Sequence, residues 1–590
     1  MDKPWFHLAA EIERAVALVA AELEGFDGSF SPDVRIADPR FGDFQVNGVL
    51  PYAKQQKTNP RALGERLLQA LQASPWFPET AFTLELAGPG FINFKLTPGY
   101  LLDWLKAYGS PAALGEAAGH VYLEKTVVVD FSSPNTAKQM HVGHIRSTVI
   151  GEAICRLLAF CGARVIRDNH IGDWGTQFGI LIMAIKDEGV QLDSLGAEAV
   201  PTLERLYKAG SAQTREDPSA LERARAELVL LQQGDPENTA LWKQITAVSW
   251  DSFQQNYDML GVRFDEVFGE SFYRDQVDRV YGELLEAGIA EESQGALVVF
   301  HPEHPRFKTQ PMLLRKSDGA SNYATTDMAT AIYRVEHFGA DAFLILTDTR
   351  QRDHFEQIFL TFEKWMRWKG QAVPEMEHIM FGTVLGEDGK AIKTRSGEPV
   401  LMRDLFEEGI RRASGVVEEK NPDLPADEKE QIARVVGIEA VRYADLSQNR
   451  SSDYKFQWDK LLSFEGNTAP YLLYAIARIH SIFRKMELDP QAPDLGAEAS
   501  AFETETEIAL ARKLVGFVNA MHQTLNDFRP HVLCTYLYEL AGHFSSFYNA
   551  DKVRVEDPGI RARRLILCSR TLLILETGCE LLGMETLERM

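Results

Sequence analysis

Cysteine is scarce in this chain: five in 590 residues (Cys155, Cys161, Cys534, Cys568 and Cys579), an odd number with no CxxC pair and no histidine partner at zinc spacing. That pattern gives no sign of a disulfide framework or a zinc site. It predicts reduced, mostly buried thiols and no structural metal. No uninterrupted apolar run reaches bilayer-spanning length, and the start, Met1-Asp2-Lys3-Pro4-Trp5, has neither the basic nor the apolar region of a secretory signal. A cytoplasmic protein with no membrane partner is expected. Net positive charge is also missing. The formal charge of −23 argues against nonspecific nucleic-acid binding, while leaving room for a local basic patch. Lys552, Arg554, Arg561, Arg563, Arg564 and Arg570 supply one candidate.

What is present is ordinary for a soluble globular protein, 45% hydrophobic and 25% charged residues, in a chain too long for one core. The segment 1–115 opens with apolar residues at helical spacing (Leu8, Ile12, Ala15, Val16, Val19, Leu23). It ends in strand-like runs at Phe82–Leu86 and Phe91–Leu96, which predicts a small α+β module. Ser110 to Gly119 reads as a linker. A Rossmann-type parallel-sheet domain is expected over 120–460, interrupted at about 186–300 by a charged, helix-rich insertion with breakers at Asp217-Pro218 and Gly234-Asp235-Pro236. From 461 to 590 the periodicity is helical and apolar, as in an all-α bundle.

His141-Val142-Gly143-His144 is the most informative stretch. It follows the apolar run Thr126–Phe131 and opens a helix-like segment, which is where a Rossmann-type sheet places phosphates. A helix N-terminus offers unpaired N–H donors, a turn glycine lets a nucleotide approach the backbone, and two imidazoles can contact phosphate. Farther on, Ala342–Thr347 reads as a buried strand, putting Asp348-Thr349-Arg350-Gln351 at a strand's carboxyl end.

The surroundings of that tetrapeptide resemble the arginyl-tRNA synthetases, a class I aminoacyl-tRNA synthetase family. The matching stretches are Asp130–Met140 before HVGH, Asn169–Phe178 after it, GPGFINF at 88–94, YATTD at 323–327, DTRQRDHF at 348–355, FGTVLGEDGKAIKTRSG at 381–397, and YADLSQNRSSDYKFQWD and FEGNTAPYLLYAIARIHSI later. The resemblance implies a ligase that joins arginine and ATP into arginyl-adenylate and passes the arginyl group to tRNA(Arg). Adenylation is then expected to need the tRNA, ATP to enter with Mg2+, and the chain to be a monomer.

Residue roles follow from the same resemblance. His141, Gly143 and His144 would bind ATP, with His141 and His144 catalytic. Lys393 and Arg395 belong to the loop corresponding to KMSKS, where Thr394 stands at the second motif lysine. Many arginyl enzymes share that departure, and Lys138, just before HVGH, would supply the missing charge. Arginine would be held by Ser133, Asn135, His141, Tyr323, Asp327 and Gln351, with Asp130 nearby. A carboxylate suits this task because it accepts a guanidinium through two parallel hydrogen bonds, and Tyr323 and Asp327, four apart, share a helix face. Phe91 and Asn93 would contact the tRNA D-loop, since stacking and edge reading suit unpaired bases, and the helical bundle would bind the anticodon. Three other readings stand beside this one: another HxGH nucleotidyltransferase, a class I synthetase for a different amino acid, and a tRNA-binding paralogue that lost catalysis. The two flanking tRNA modules speak against the first, Tyr323, Asp327 and Gln351 against an apolar substrate, and intact Lys138, His141, Gly143 and His144 against the third.

Overall fold

Val127, Val128 and Val129 are buried on both faces of their strand, as a central strand of a parallel sheet requires. The computed structural model places Thr126–Asp130 there, in a four-stranded parallel sheet ordered Glu375–His378, Ala342–Ile345, Thr126–Asp130, Arg164–Asp168. Helix Val142–Phe160 joins the last two strands and helix Arg352–Trp368 the first two. The two halves meet where Ala342 pairs with Val127 and Ile345 with Asp130. At such a switch point the loops part, and a crevice opens outside the carboxyl ends of the strands. The structure describes residues 3–38, 40–317, 319–393, 398–492 and 494–590. The sheet belongs to a unit formed by residues 121–463 and 581–585.

The insertion between the halves begins as expected. Helices Ala199–Glu216, Pro218–Gln232 and Pro236–Leu260 follow one another. The breakers serve as starts: Asp217 accepts from Ser219 N–H, Asp235 accepts from Glu237 and Asn238 N–H, and a proline occupies the first turn of each helix. The later part departs from the helix-rich expectation. Glu291–Ser293, Ala296–Val299 and Met312–Arg315 form an antiparallel sheet, whose first hairpin turns through Gln294 and Gly295, both at positive φ (51° and 79°). That pair is a type I′ turn signal, hidden within a charged stretch. After the second half, helices Met402–Lys420 and Ala426–Leu446 pack together and against helix Val142–Phe160.

The second unit comprises residues 1–120, 464–580 and 586–590. Its amino-terminal part carries an antiparallel sheet ordered Val34–Ile36, Phe44–Val46, Phe91–Leu96, Phe82–Ala87, with helix Leu8–Ala21 burying Leu8, Ile12, Ala15 and Val16. Helices Ala469–Met486, Glu505–Val515, Phe517–Asn526, Pro530–Ala550 and Pro558–Leu581 make up the carboxyl-terminal part. The two parts are joined: Arg512 pairs with Asp43 at 3.0 Å, and Arg570 Nε donates to Leu105 O at 2.8 Å. The supposed linker is helix Pro111–Ala118, with Ser110 as its cap. A Ser-Pro pair starts helices as readily as it makes turns. All five cysteines are buried thiols, and among the described residues no helix is long and apolar enough to cross a membrane.

Candidate active site

Beyond Asp130 the chain makes an irregular loop before helix Val142–Phe160, and three of its non-glycine residues, Ser132, Ser133 and Ala137, have left-handed φ of 73°, 47° and 61°. Such residues persist only when the surroundings hold them. A side chain receives each of their N–H groups: Ser147 Oγ for Ser132 (2.8 Å), Asn169 Oδ1 for Ser133 (3.1 Å) and Ser249 Oγ for Ala137 (2.9 Å). The buried Tyr257 hydroxyl links Ser132 Oγ to Asn169. Gly172 runs beside the loop, accepting from Thr136 N–H and donating to Pro134 O. A Cβ at Gly172 would lie 2.1 Å from Asn135 Oδ1, so a larger residue there would displace the Asn135 amide.

His141 caps the helix. Its Nδ1 accepts from Gly143 N–H, while His144 Nδ1 accepts from His141 N–H, each at 3.1 Å, and the rings lie 4.1 Å apart. The space freed by Gly143 is occupied by the His141 ring, 2.9 Å from where a Cβ would sit. Burial lowers the His141 pKa, with Lys138 acting in the same direction, and brings that of His144 to about 3. Both imidazoles are therefore neutral near pH 7, and they offer hydrogen bonds rather than charge. The chain beyond the Lys393 loop returns to this turn: Val142 N–H donates to Val400 O (2.9 Å) and Met402 N–H to Met140 O (3.0 Å).

Asp130, Ser133 and Asp327 line one cavity of about 80 Å3, with His170, Thr330 and Arg334. Arg334, fully buried, bridges Asp130 and Asp168, and Ser133 Oγ donates to Asp130 (3.0 Å). Asp327 also meets His354 Nε2 at 2.6 Å, whose ring packs 4.5 Å from that of Tyr323. Glu270 is a nearby carboxylate that the motifs do not mark. Burial raises its carboxyl to about 7, with His170, Asp327 and Asp173 in electrostatic reach. Nothing in the local sequence signals its chemistry.

The remaining candidates lie apart from that cavity. Asn135 and Lys138 line a second one of about 120 Å3 with Gln177 and Tyr207. Gln351 is exposed on the short turn Thr349–Gln351, and Lys393 is exposed on its loop. Thr394 and Arg395 lie outside the described residues. Phe91 is half-buried, and Asn93 is buried with its amide oxygen taken by Gln45 (2.7 Å).

The basic patch needs correction. Arg563 is buried on Glu503 and Glu507, Arg564 pairs with Glu507 and Asp551, and Arg570 is buried with its pKa pushed down to about 10. These three arginines hold the bundle together, leaving Lys552 and Arg554 exposed. Another surface of the same bundle pairs cation with aromatics: Arg478 lies 4.9 Å from the Tyr474 ring and 5.7 Å from that of Tyr548, and both rings are exposed.

Comparison with known proteins covers the chain in three stretches. Residues 7–96 match the arginyl tRNA synthetase N terminal domain, 113–458 the tRNA synthetases class I (R) catalytic domain, and 472–590 the DALR anticodon binding domain. The arginine–tRNA ligase of Erwinia tasmaniensis is 42% identical over 589 residues, covering 99% of each chain. That of Haemophilus influenzae is 43% identical over 580 residues, 97% of this chain and 98% of its own. Among solved structures, the arginyl-tRNA synthetase of Plasmodium falciparum superposes with a TM-score of 0.83 at 28% identity over all of both chains, and that of Thermus thermophilus with 0.82 at 26% over 99% and 100%.

Proposed function

The chain belongs to the class I arginyl-tRNA synthetases and is an arginine–tRNA ligase, and on that premise we propose how its residues divide the reaction. The substrate guanidinium enters the crevice beside Asp327, displacing the His354 hydrogen bond, with Glu270 as a second carboxylate and Tyr323 and Gln351 at the rim. Ser133 and Asn135 hold the α-amino and carboxylate groups. The observation that carries this reading is the cavity at the switch point, where Asp327 lies with Asp130 and Ser133 and within electrostatic reach of Glu270. A planar cation needs acceptors of that kind, and an apolar substrate would leave them unsatisfied.

Activation requires the arginine carboxylate to attack the α-phosphate of ATP and expel pyrophosphate, a transfer accelerated by positioning and by stabilising charge on phosphoryl oxygens. The neutral imidazoles of His141 and His144 donate hydrogen bonds to those oxygens at the helix start. Lys138, Lys393 and Arg395 supply the positive charge, with Lys138 standing in for the lysine absent at Thr394. ATP arrives as its magnesium complex, the metal forming part of the substrate. The tRNA docks on Phe91 with the Gln45–Asn93 pair and on the Tyr474, Arg478 and Tyr548 surface, where exposed aromatics beside an arginine suit unpaired bases. The enzyme is read as a cytoplasmic monomer of three functional parts, 1–115, 120–460 and 461–590. Arginine-dependent ATP–pyrophosphate exchange, run with and without tRNA carrying an arginine anticodon and with lysine as control, tests the reading. Exchange only with arginine and tRNA together is expected; exchange without tRNA removes the tRNA dependence, and equal exchange with lysine removes the pocket assignment.

A further inference from the structure

Lys138 is an exposed side chain on an irregular loop, a poor way to station a cation that must meet a phosphate. Two inserted helices act on it. Ser249, wholly buried on helix Pro236–Leu260, accepts the N–H of the preceding residue, Ala137, at 2.9 Å and donates its own hydroxyl to Ile245 O at 2.6 Å. Ala137 is an alanine at φ 61°, where an L residue is strained and keeps its shape only under outside constraint. On helix Ala199–Glu216, the Tyr207 ring lies 5.8 Å from Lys138 Nζ, and Glu204, three residues earlier, accepts from Gln139 Nε2 at 3.3 Å. Residues three apart share a helix face, so one side of this helix touches both Lys138 and Gln139. Lys138 and Tyr207 both line the cavity of about 120 Å3.

We propose that the insertion is a positioning device for adenylation: Ser249 fixes the backbone at Ala137, Tyr207 receives the ammonium, and together they hold Lys138 toward the phosphates. This inference rests on the assignment of Lys138 to ATP made above. Ser249 and Tyr207 touch no substrate and act through Lys138. The inserted region, far from HVGH in sequence, thereby sets the geometry of the charge that replaces the motif lysine.

The test is tRNA-dependent ATP–pyrophosphate exchange with the full-length enzyme. Ser249→Ala leaves a buried N–H without its acceptor, and Tyr207→Leu removes the ring. Each is expected to lower kcat by about three- to tenfold, as misplacement of a charged group does, with the KM for arginine unchanged. Tyr207→Phe keeps the ring and restores the rate, which also covers the case in which Ser249→Ala fails to fold. In a Lys138→Ala background neither substitution lowers the rate further. Full activity of Tyr207→Leu and Ser249→Ala alongside a slow Lys138→Ala overturns the inference alone, as do losses that multiply with that of Lys138→Ala. Full activity of Lys138→Ala itself overturns the assignment of Lys138 to ATP and the inference with it.

Discussion

Asp327 and His354 meet at 2.6 Å, joining the start of one helix to the start of another across the cavity, with Tyr323 packed on the same imidazole. An incoming guanidinium competes for that carboxylate, offering two parallel charge-assisted hydrogen bonds where the imidazole offers one. Replacing Asp327 with Ala should raise the arginine KM roughly 10- to 100-fold, as loss of about 1.5–3 kcal/mol implies, with tRNA binding intact. Unchanged KM in steady-state exchange would remove Asp327 from the pocket.

Glu270 leads to a pH dependence. Its folded-state pKa is raised from 4.5 to about 7, so the ligand-free enzyme gains stability from its protonated form below about 4.5 and loses that gain as pH rises through 7. Arginine prefers the ionised carboxylate. Its KM should therefore fall between pH 6 and 8, with proton release on binding near pH 6.5, and Glu270→Gln should flatten the profile. Calorimetric titration in two buffers of different ionisation enthalpy reads the proton directly, and a buffer-independent heat would count against the role.

For the histidine pair the expectation is the opposite. With His144 near 3, that ring does not change charge between pH 6 and 8, and His141 is lowered in the same direction by burial, so kcat for exchange should show no limb in that range that substitution of His144 abolishes. His141→Ala should cost about 100- to 1,000-fold in kcat, the usual loss when a donor aimed at developing charge is removed. An acidic limb near 6.5 that vanishes in His144→Asn would show imidazolium at work instead.

Two arginines of the bundle should separate cleanly. Arg478→Ala should raise the tRNA KM about tenfold through lost stacking and charge, more at low salt than at high salt, without lowering the thermal midpoint. Arg563→Ala removes one of the two arginines on the buried Glu507, leaving Arg564 in place, and should destabilise the fold by about 1.5–3 kcal/mol, read by denaturant unfolding, before any change in tRNA contacts is seen. The reverse pattern would restore the basic patch.

These contrasts mark what a single sequence could disclose. Periodicity located the valine strand, the Phe91–Leu96 strand and the bundle helices because burial imposes regular spacing. Asp217-Pro218 was legible as a break because proline and aspartate interrupt a helix locally, and the structure makes the same pair the start of the next helix. Arg563, Arg564 and Arg570 misled because charge in a sequence does not name its partner, and theirs are acids and carbonyls tens to hundreds of residues away. The Ser110-Pro111 pair allowed either a turn or a helix start, and packing chose the helix. Glu270 and Ser249 had no motif; each acquires meaning only from what folds against it. Of the candidate residues, Asp130, Ser133 and Asp327 share one cavity, while some of the groups that hold the loop beyond Asp130, Ser249 and Tyr257 among them, come from the insertion.

The pairing of Ala342 with Val127 has a consequence for biosynthesis. The central strand leaves the ribosome long before its neighbour exists, and at ordinary elongation speeds the wait is roughly 10 to 40 s. During that time a flat valine edge, buried on both faces in the finished enzyme, stays open to any passing strand. Nascent chains stalled within the insertion should therefore be the most prone to aggregate and the most dependent on chaperones, whereas chains released after residue 378 carry the completed sheet.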